Sequence, residues 1–463
     1  MTFRWGFSVR LYWAVVERKQ LFLGLMVVFV CTVACQKDPS TTIRSDLWES
    51  PIIKTFGGSL NESAQAVIPT SDGGFAVLGY VQSRDGQVEN KTNDSFDFWL
   101  LRFDAQGTLL WQRTYGGLGN DRGMDLVATP QGGFAMFGFS ERRPPDDPNS
   151  TFPTQNLWMV TVNAMGEVLW EQAFGYSGSD FGTQLITTPD GGYLLAGLLD
   201  VTRSGGLGNT TNKHAGGDYW VLKIDREGAL QWRNYFGGLQ TDTPYGLALT
   251  SDGGYLIVGG TDSADTDISN SKGSYDCWVV KSNAMGQLEW EHSYGGSRIE
   301  TAYAVALTTN GSFLMVGDTR SDDQQVSVNK GGADLWCFEI AADGTLVKET
   351  SFGGTSFDSG RSIQIIEGDA WLIAGSSRSQ NGDLTKNNGQ NDAWTLILNP
   401  DGDTVVWQQT IGGSQIDIAN DAVQLLDGSL VTVGESSSRD GDIPENKGFT
   451  DLLIVINPIT PNP

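Results

Sequence analysis

The stretch TFGGSLNESAQAVIPTSDGGFAVLGY (Thr55–Tyr80) returns as YFGGLQTDTPYGLALTSDGGYLIVGG (Tyr235–Gly260) and as SYGGSRIETAYAVALTTNGSFLMVGD (Ser293–Asp318). A phrase that recurs at a constant period marks a repeat architecture, in which each small unit buries its apolar face only against its neighbours. An aromatic-Gly-Gly triplet anchors each copy. Its first glycine falls at Gly57, Gly116, Gly175, Gly237, Gly295, Gly353 and Gly412, giving seven copies spaced 58 to 62 residues apart. Tyr176 replaces the second glycine in the third copy, and Ile411 replaces the aromatic in the seventh.

Two further positions never vary in type. Five residues after each anchor stands an acid: Glu62, Asp121, Asp180, Asp242, Glu300, Asp358 and Asp417. Twenty-two residues after each anchor stands a glycine, from Gly79 to Gly434. An Asp-x-Trp column follows, as at Asp97/Trp99 and Asp334/Trp336, with Asn156/Trp158 and Asp451/Leu453 as variants. A second tryptophan column comes 12 or 13 residues later, and the two columns absorb eleven of the fifteen tryptophans, which makes them scaffold.

Each copy divides into four short strands. AQAVIPT ends at Asp72-Gly73, a pair that accepts the positive φ of a tight hairpin. FAVLGY alternates and carries the invariant glycine. A loop of about sixteen residues leads to DFWLLRFD, and a short turn leads to TLLWQRTY. Four strands per copy, seven times, predicts an all-β, seven-bladed β-propeller with four antiparallel strands per blade. After Asp451 only LLIVIN remains, while PIIKTF (Pro51–Phe56) precedes the first copy unpaired. The N-terminal strand is therefore expected to complete the last blade, which removes open sheet edges. The chain resembles the Gly-rich, roughly sixty-residue propeller repeats of secreted and lipidated proteins from Bacteroidota-type bacteria, on its Gly-Gly, Asp-Gly-Gly and Asp-x-Trp motifs over residues 51–457. That resemblance implies surface binding or scaffolding and carries over no catalytic residues.

The leader gives an address. Residues 21–34, LFLGLMVVFVCTVA, form an apolar run after a basic segment, too short for a comfortable membrane span and shaped like a signal-peptide core. TVAC (Thr32–Cys35) resembles a bacterial lipobox, with Thr32 in place of the usual leucine, and implies lipidation at Cys35. Gln36-Lys37-Asp38 resembles the Lys-acidic tag of surface-exported lipoproteins, although Pro39 stands where a second acid is common. The expected organisation is residues 1–34 as signal peptide, 35–50 as polar tether, 51–457 as propeller and 458–463 as tail, in an outer-membrane lipoprotein exposed at the surface.

The net charge of −25 opposes binding to phosphate backbones, so nucleic acid is not an expected partner. Of four cysteines, Cys31 and Cys35 belong to the leader; Cys277 and Cys337 fall on the same face of neighbouring sheets, which meet through opposite faces, so no bridge between them is expected. With only His214 and His292, a histidine-rich zinc site and a Ser-His-Asp triad have little to draw on. The Asp-x-x-Gly-x-x-x-Trp rhythm of Asp104–Trp111 resembles quinoprotein propellers, but no cofactor-pocket signature accompanies it.

In a four-stranded blade the fourth-to-first and second-to-third connections share one face, which thus collects the seven acids and the seven long loops. A carboxylate after a Gly-Gly turn accepts hydrogen bonds from free backbone N–H groups, and sevenfold recurrence suits a structural role. A ring of cation ligands is the alternative. In SRDGDIPENKG (Ser438–Gly448), Asp440-Gly441-Asp442 hints at calcium without satisfying an EF-hand-like spacing, so the metal stays unknown and no other cofactor is expected. Two loops depart from the repeat: Phe139–Gln155, with Arg142, Arg143, Asp146 and Asp147, and Leu198–Gly217, with Asn212, Lys213 and His214. Departure is where specificity can reside, so these seven are the candidate binding residues. The expected function is a monomeric, non-enzymatic binding or scaffold module for a glycan or envelope protein, touching the membrane through its lipid anchor alone. The alternative is a polysaccharide-active enzyme, a glycosidase or lyase, that uses carboxylates of the loop face.

Overall fold

The computed structural model describes residues 48–142, 154–176, 178–200 and 216–459. These residues form 28 strands and one 3-10 turn, Glu367–Asp369. The strands make seven four-stranded antiparallel sheets. In blade 1, Glu62–Pro69, Phe75–Val81, Asp97–Phe103 and Leu109–Tyr115 pair in chain order. The first hairpin turns where Gly73 takes φ 89°, with Gly73 N–H donating to Thr70 O at 3.0 Å.

The first strand of each blade touches the first strand of the next, and Glu62–Pro69 touches Asp417–Gln424. The first strands therefore stand innermost around an axis, and the ring is closed. In the seventh sheet, Ile52–Phe56 lies antiparallel to Asp451–Asn457, from Ile52 opposite Ile456 to Phe56 opposite Leu452. The molecule is a seven-bladed β-propeller in which the N-terminal strand completes the last blade.

Its apolar core is seven clusters, one at each seam between adjacent blades. Each Asp-x-Trp tryptophan occupies a different cluster or packs at its heart, with Leu453 taking the place in the seventh. Burying an indole of this size contributes roughly 5 kcal/mol of gross transfer free energy, which the ordering of the chain largely offsets. Five of these indole N–H groups donate to Gln112, Glu171, Glu291, Glu349 or Gln408 on the outer strand of the same blade, at 2.8–3.1 Å. Cys277 and Cys337 are free, buried and in different clusters.

Every innermost strand carries a β-bulge at the same place. The register slips between Ala64 and Ala66, Gly123 and Asp125, Gly182 and Gln184, Pro244 and Gly246, Ala302 and Ala304, Gly360 and Ser362, and Ala419 and Asp421. The bulge explains the invariant glycine of the second strand. A Cβ on Gly79 would lie 1.8 Å from Ser63 O, and one on Gly317 would lie 1.7 Å from Thr301 O. Only glycine lets the bulged backbone approach so closely. The bulged residues Gln65, Met124, Thr183, Tyr245, Tyr303, Arg361 and Asn420 are all partly exposed and differ from blade to blade.

Candidate binding face

Parallel bridges such as Tyr275 with Ile299 and Ala333 with Phe357 tie the end of each long loop to the start of the next blade. The long loops and the Gly-Gly turns thus share one face of the ring. All seven acids of the turn are buried there. Each accepts a backbone N–H four residues earlier, from Gly58, Gly117, Tyr176, Gly238, Gly296, Gly354 or Gly413, at 2.7–2.9 Å. Hydroxyls complete the cradle: Asp358 accepts from Ser377 at 2.5 Å and Ser379 at 2.7 Å, and Asp417 from Ser436 and Ser438 at the same distances.

Across five anchor glycines, Gly57, Gly116, Gly237, Gly353 and Gly412, stands the carboxylate of the preceding blade's Asp-x-Trp motif, and across Gly175 the amide of Asn156. A Cβ on Gly353 would lie 2.7 Å from both Asp334 Oδ1 and Asp358 Oδ2. Two carboxylates confined so closely resist joint ionisation. Burial pushes Asp242 up to about 7 and Asp334 up to about 6, each helped by the charge of its partner, Asp218 or Asp358. Burial likewise holds Asp392 at about 6, against the N–H of Asn388, with Asp417 adding to the rise. Among the described residues, no three acids, histidines or cysteines are grouped so as to hold a metal ion.

Five long loops share a structural motif that alternation and turn signals did not bring out. Ser83, Asp85, Gln87 and Val88 of blade 1 correspond to Ser438, Asp440, Asp442 and Ile443 of blade 7. Ser83 Oγ accepts Leu60 N–H at 2.8 Å, Asp85 accepts Ser59 N–H at 2.8 Å and Gln87 accepts Gly57 N–H at 3.1 Å. In blade 7 the matching bonds run from Gln415 to Ser438 at 3.0 Å, from Ser414 to Asp440 at 2.7 Å and from Gly412 to Asp442 at 3.4 Å. The residue between the two acid or amide side chains takes positive φ in all five, and the apolar residue that follows is buried: Val88, Ile268, Val326, Leu384 or Ile443. The loop acids that hinted at calcium are thus engaged with backbone N–H groups. A serine four residues past each invariant glycine, followed by Asp or Asn two residues on, is the signal that finds the motif in sequence.

Blades 2 and 3 lack this sequence signal. Arg142 and Val201 stand where the other five have serine. In blade 2 the side chain of Glu141 accepts Asn120 N–H at 3.0 Å, and in blade 3 Asp200 accepts Ser179 N–H at 3.4 Å, as Asp262 accepts Thr241 N–H in blade 4. The side chain of Arg142 lies outside the described residues, as do Arg143, Asp146, Asp147, Asn212, Lys213, His214 and the lipidation candidate Cys35.

Beside this departure a cleft of about 950 Å³ opens between the outer strand of blade 1 and blade 2, lined among others by Tyr115, Asp121, Glu141, Trp158, Trp170 and Glu171. A hollow of about 680 Å³ continues it past Trp111 and Glu167. Burial raises the Tyr115 hydroxyl above its ordinary range, so it stays protonated and donates to Gly166 O at 2.8 Å. The rim is apolar and open to water, with Leu118 94% and Val168 53% exposed. Aromatic walls among carboxylates suit a hydroxylated, uncharged ligand: the rings pack against C–H faces and the acids accept O–H groups.

No family model matches the chain. It is 21% identical over 447 residues to the regulatory protein FlaEY of Caulobacter vibrioides, a match covering 83% of this chain and 46% of that protein, so the chain spans about half the length of the curated relative it matches. Similar solved structures include the Pan2 WD40 domain of Neurospora crassa (TM-score 0.47, 9% identity, 86% of this chain and 90% of that one). Sqt1 from Chaetomium thermophilum is another (TM-score 0.42, 11% identity, 87% of this chain and 99% of that one). The propeller assignment stands on the strand pairing itself.

Proposed function

We propose that this chain is a cell-envelope lipoprotein, anchored through Cys35 in the outer membrane and exposed at the surface, whose propeller works as a binding module for a glycan. The observation that carries the reading is the aromatic and carboxylate-lined cleft between blades 1 and 2, beside the loop that abandons the motif shared by five others. The strongly negative chain suits an uncharged polysaccharide there better than a polyanion. A recognition role, rather than catalysis, is favoured by the seven turn acids, which are committed to backbone N–H groups.

The test is a polysaccharide panel presented to the purified full chain, with and without calcium, following both binding and release of reducing ends. Binding of a neutral glycan without product, weakened about tenfold or more by Trp170→Ala, is the expected result, since stacking on an indole contributes on the order of 1–2 kcal/mol. Release of reducing ends would overturn the reading in favour of a polysaccharide-active enzyme. Silence in both channels would overturn it in favour of an envelope-protein partner. The address is tested by metabolic labelling with a palmitate analogue, expected to mark the wild type and not Cys35→Ser.

A further inference from the structure

A second group of side chains is unrelated to the cleft and includes three bulged residues, Arg361, Tyr303 and Tyr245. On one side the Arg361 guanidinium stacks 4.3 Å above the Tyr303 ring, and Tyr303 meets Tyr245 at 5.1 Å. On another, the Arg122 guanidinium lies 4.2 Å from the centre of the Phe96 ring and 5.0 Å from that of Tyr80. Arg122 and Tyr80 sit at the loop-face end of their strands, since Arg122 directly follows the turn acid Asp121 and Tyr80 directly follows the invariant Gly79. Glu435 and Asp318 hold the same position as Tyr80 in blades 7 and 5. These residues come from six of the seven blades and converge only because the ring is closed.

Neither guanidinium has a hydrogen-bond or ion-pair partner among the described residues, and Arg361 Nε is buried without an acceptor. The fully buried cations on the opposite face differ. Arg102, Lys223 and Lys281 are each paired with an acid there. Asp318 accepts from Ser359 Oγ at 3.0 Å, and burial pushes its carboxyl up against that bond and the charge of Arg361. Burial pushes the Glu435 carboxyl up, opposed by Ser63 and by the charges of Arg122 and Arg361. A guanidinium stacked on a ring keeps its N–H donors pointing outward in its own plane, the geometry that takes a carboxylate on two parallel bonds.

We propose that the loop-face mouth of the axis is a binding site for a single acidic sugar unit of the hexuronate kind. Arg361 and Arg122 hold its carboxylate, Tyr245 and Tyr303 pack against the ring face, and Asp318 and Glu435 accept its hydroxyls. The strong negative charge of the chain limits the ligand to one carboxylate, because a polyanionic strand would meet repulsion beyond the mouth. A simple anion would satisfy the arginines but leave the rings and the hydroxyl acceptors unused. The site is independent of the cleft, so it stands or falls separately from the glycan reading above.

The experiment is calorimetric titration of the full chain with galacturonate and glucuronate, with galactose, inorganic phosphate and acetate as comparison probes. The expected result is uronate binding at least tenfold tighter than any comparison probe. That binding should fall tenfold or more in Arg361→Gln and in Arg122→Gln, and be unchanged in Trp170→Ala. Arg361→Lys keeps the charge without the planar fork and is expected to lose most of the affinity; it also serves if the glutamine variant does not fold. Quenching of tyrosine emission by uronate, absent in Tyr303→Leu, is a second readout. Failure of both uronates to bind, acetate or phosphate binding as tightly, or arginine variants that fold and bind as the wild type does would each overturn the proposal.

Discussion

The seams between blades and the mouth of the axis are built on the same backbone, repeated seven times, yet they treat their residues in opposite ways. At the seams one solution recurs: an acid bonded to the Gly-Gly turn and an apolar side chain, usually tryptophan, behind it. At the axis the bulged position carries Gln65, Met124, Thr183, Tyr245, Tyr303, Arg361 and Asn420, with only tyrosine appearing twice. Every seam meets the same physical demand, since each must satisfy buried N–H groups and fill the same wedge. The axial side chains meet one another and the solvent, and no rule of the fold dictates them. Repetition marks what the ring needs, and variation marks where a ligand can be read.

The largest break in that contrast is expected from Gly317→Ala. Its Cβ would sit 1.7 Å from the Thr301 carbonyl oxygen, a backbone atom that cannot move without undoing the bulge. A loss of about 4 kcal/mol or outright failure to fold is expected by denaturant titration. Thr183→Ala at the bulge, by contrast, should change stability by less than about 0.5 kcal/mol. Next in size is Asp358→Ala, which strands Gly354 N–H and two serine hydroxyls in a buried site. About 2–4 kcal/mol should be lost in the same titration, with Asp358→Asn costing less because the amide oxygen still accepts. Asp440→Ala removes one exposed cap on Ser414 N–H and should cost about 1 kcal/mol; an equal or larger loss than at Asp358 would erase the distinction between seam and loop.

The same contrast predicts a pH dependence shared by the seams. The Asp242 carboxyl is raised to about 7 from an ordinary 3.8, and Asp334 and Asp392 to about 6. A carboxyl raised in the folded state binds its proton more tightly there than in the unfolded chain. Its contribution is therefore fully present below the unfolded value and lost as pH climbs through about 6 to 7. The melting temperature should rise as pH is lowered from about 7 toward 4. Further acidification should reverse the trend. Asp190 is held down to about 2, despite some burial, by Lys223 and Thr188, and Asp252 is held down to about 2 by Thr250 and Lys281. Those contributions are lost as pH falls from the ordinary carboxylate value toward about 2. A scan of melting temperature against pH in Asp242→Asn should show a shallower upper limb than in the wild type.

The fold was legible because its decisive interactions lie within one copy at fixed offsets. The Asp72-Gly73 turn, the acid five residues past the anchor and the alternation in FAVLGY each repeat in register. The loop motif was harder to see because its partners lie more than twenty residues back and its acid alternates with amide, as in Asp383 and Gln325. The axial group was hidden more deeply. Simple alternation along Glu62–Pro69 misassigns every residue past the bulge, since the register slips at Gln65. The convergence of Arg122 and Arg361 on Glu435 also depends on ring closure, because the three come from blades 2, 6 and 7.

The pairing of Ile52–Phe56 with Asp451–Asn457 also sets a schedule for the young chain. The first strand is made about 400 residues before its partner, an interval on the order of 20–80 s at typical synthesis rates. Throughout that interval Phe56 and Phe103, which meet at 5.3 Å in the finished ring, have no last blade to pack beneath. A product cut short before Asp451 would keep this apolar edge uncovered, the kind of surface that chaperones bind and proteases enter. Joining the two ends thus doubles as a check on length, and only a chain read through to its final strand can hide its own beginning.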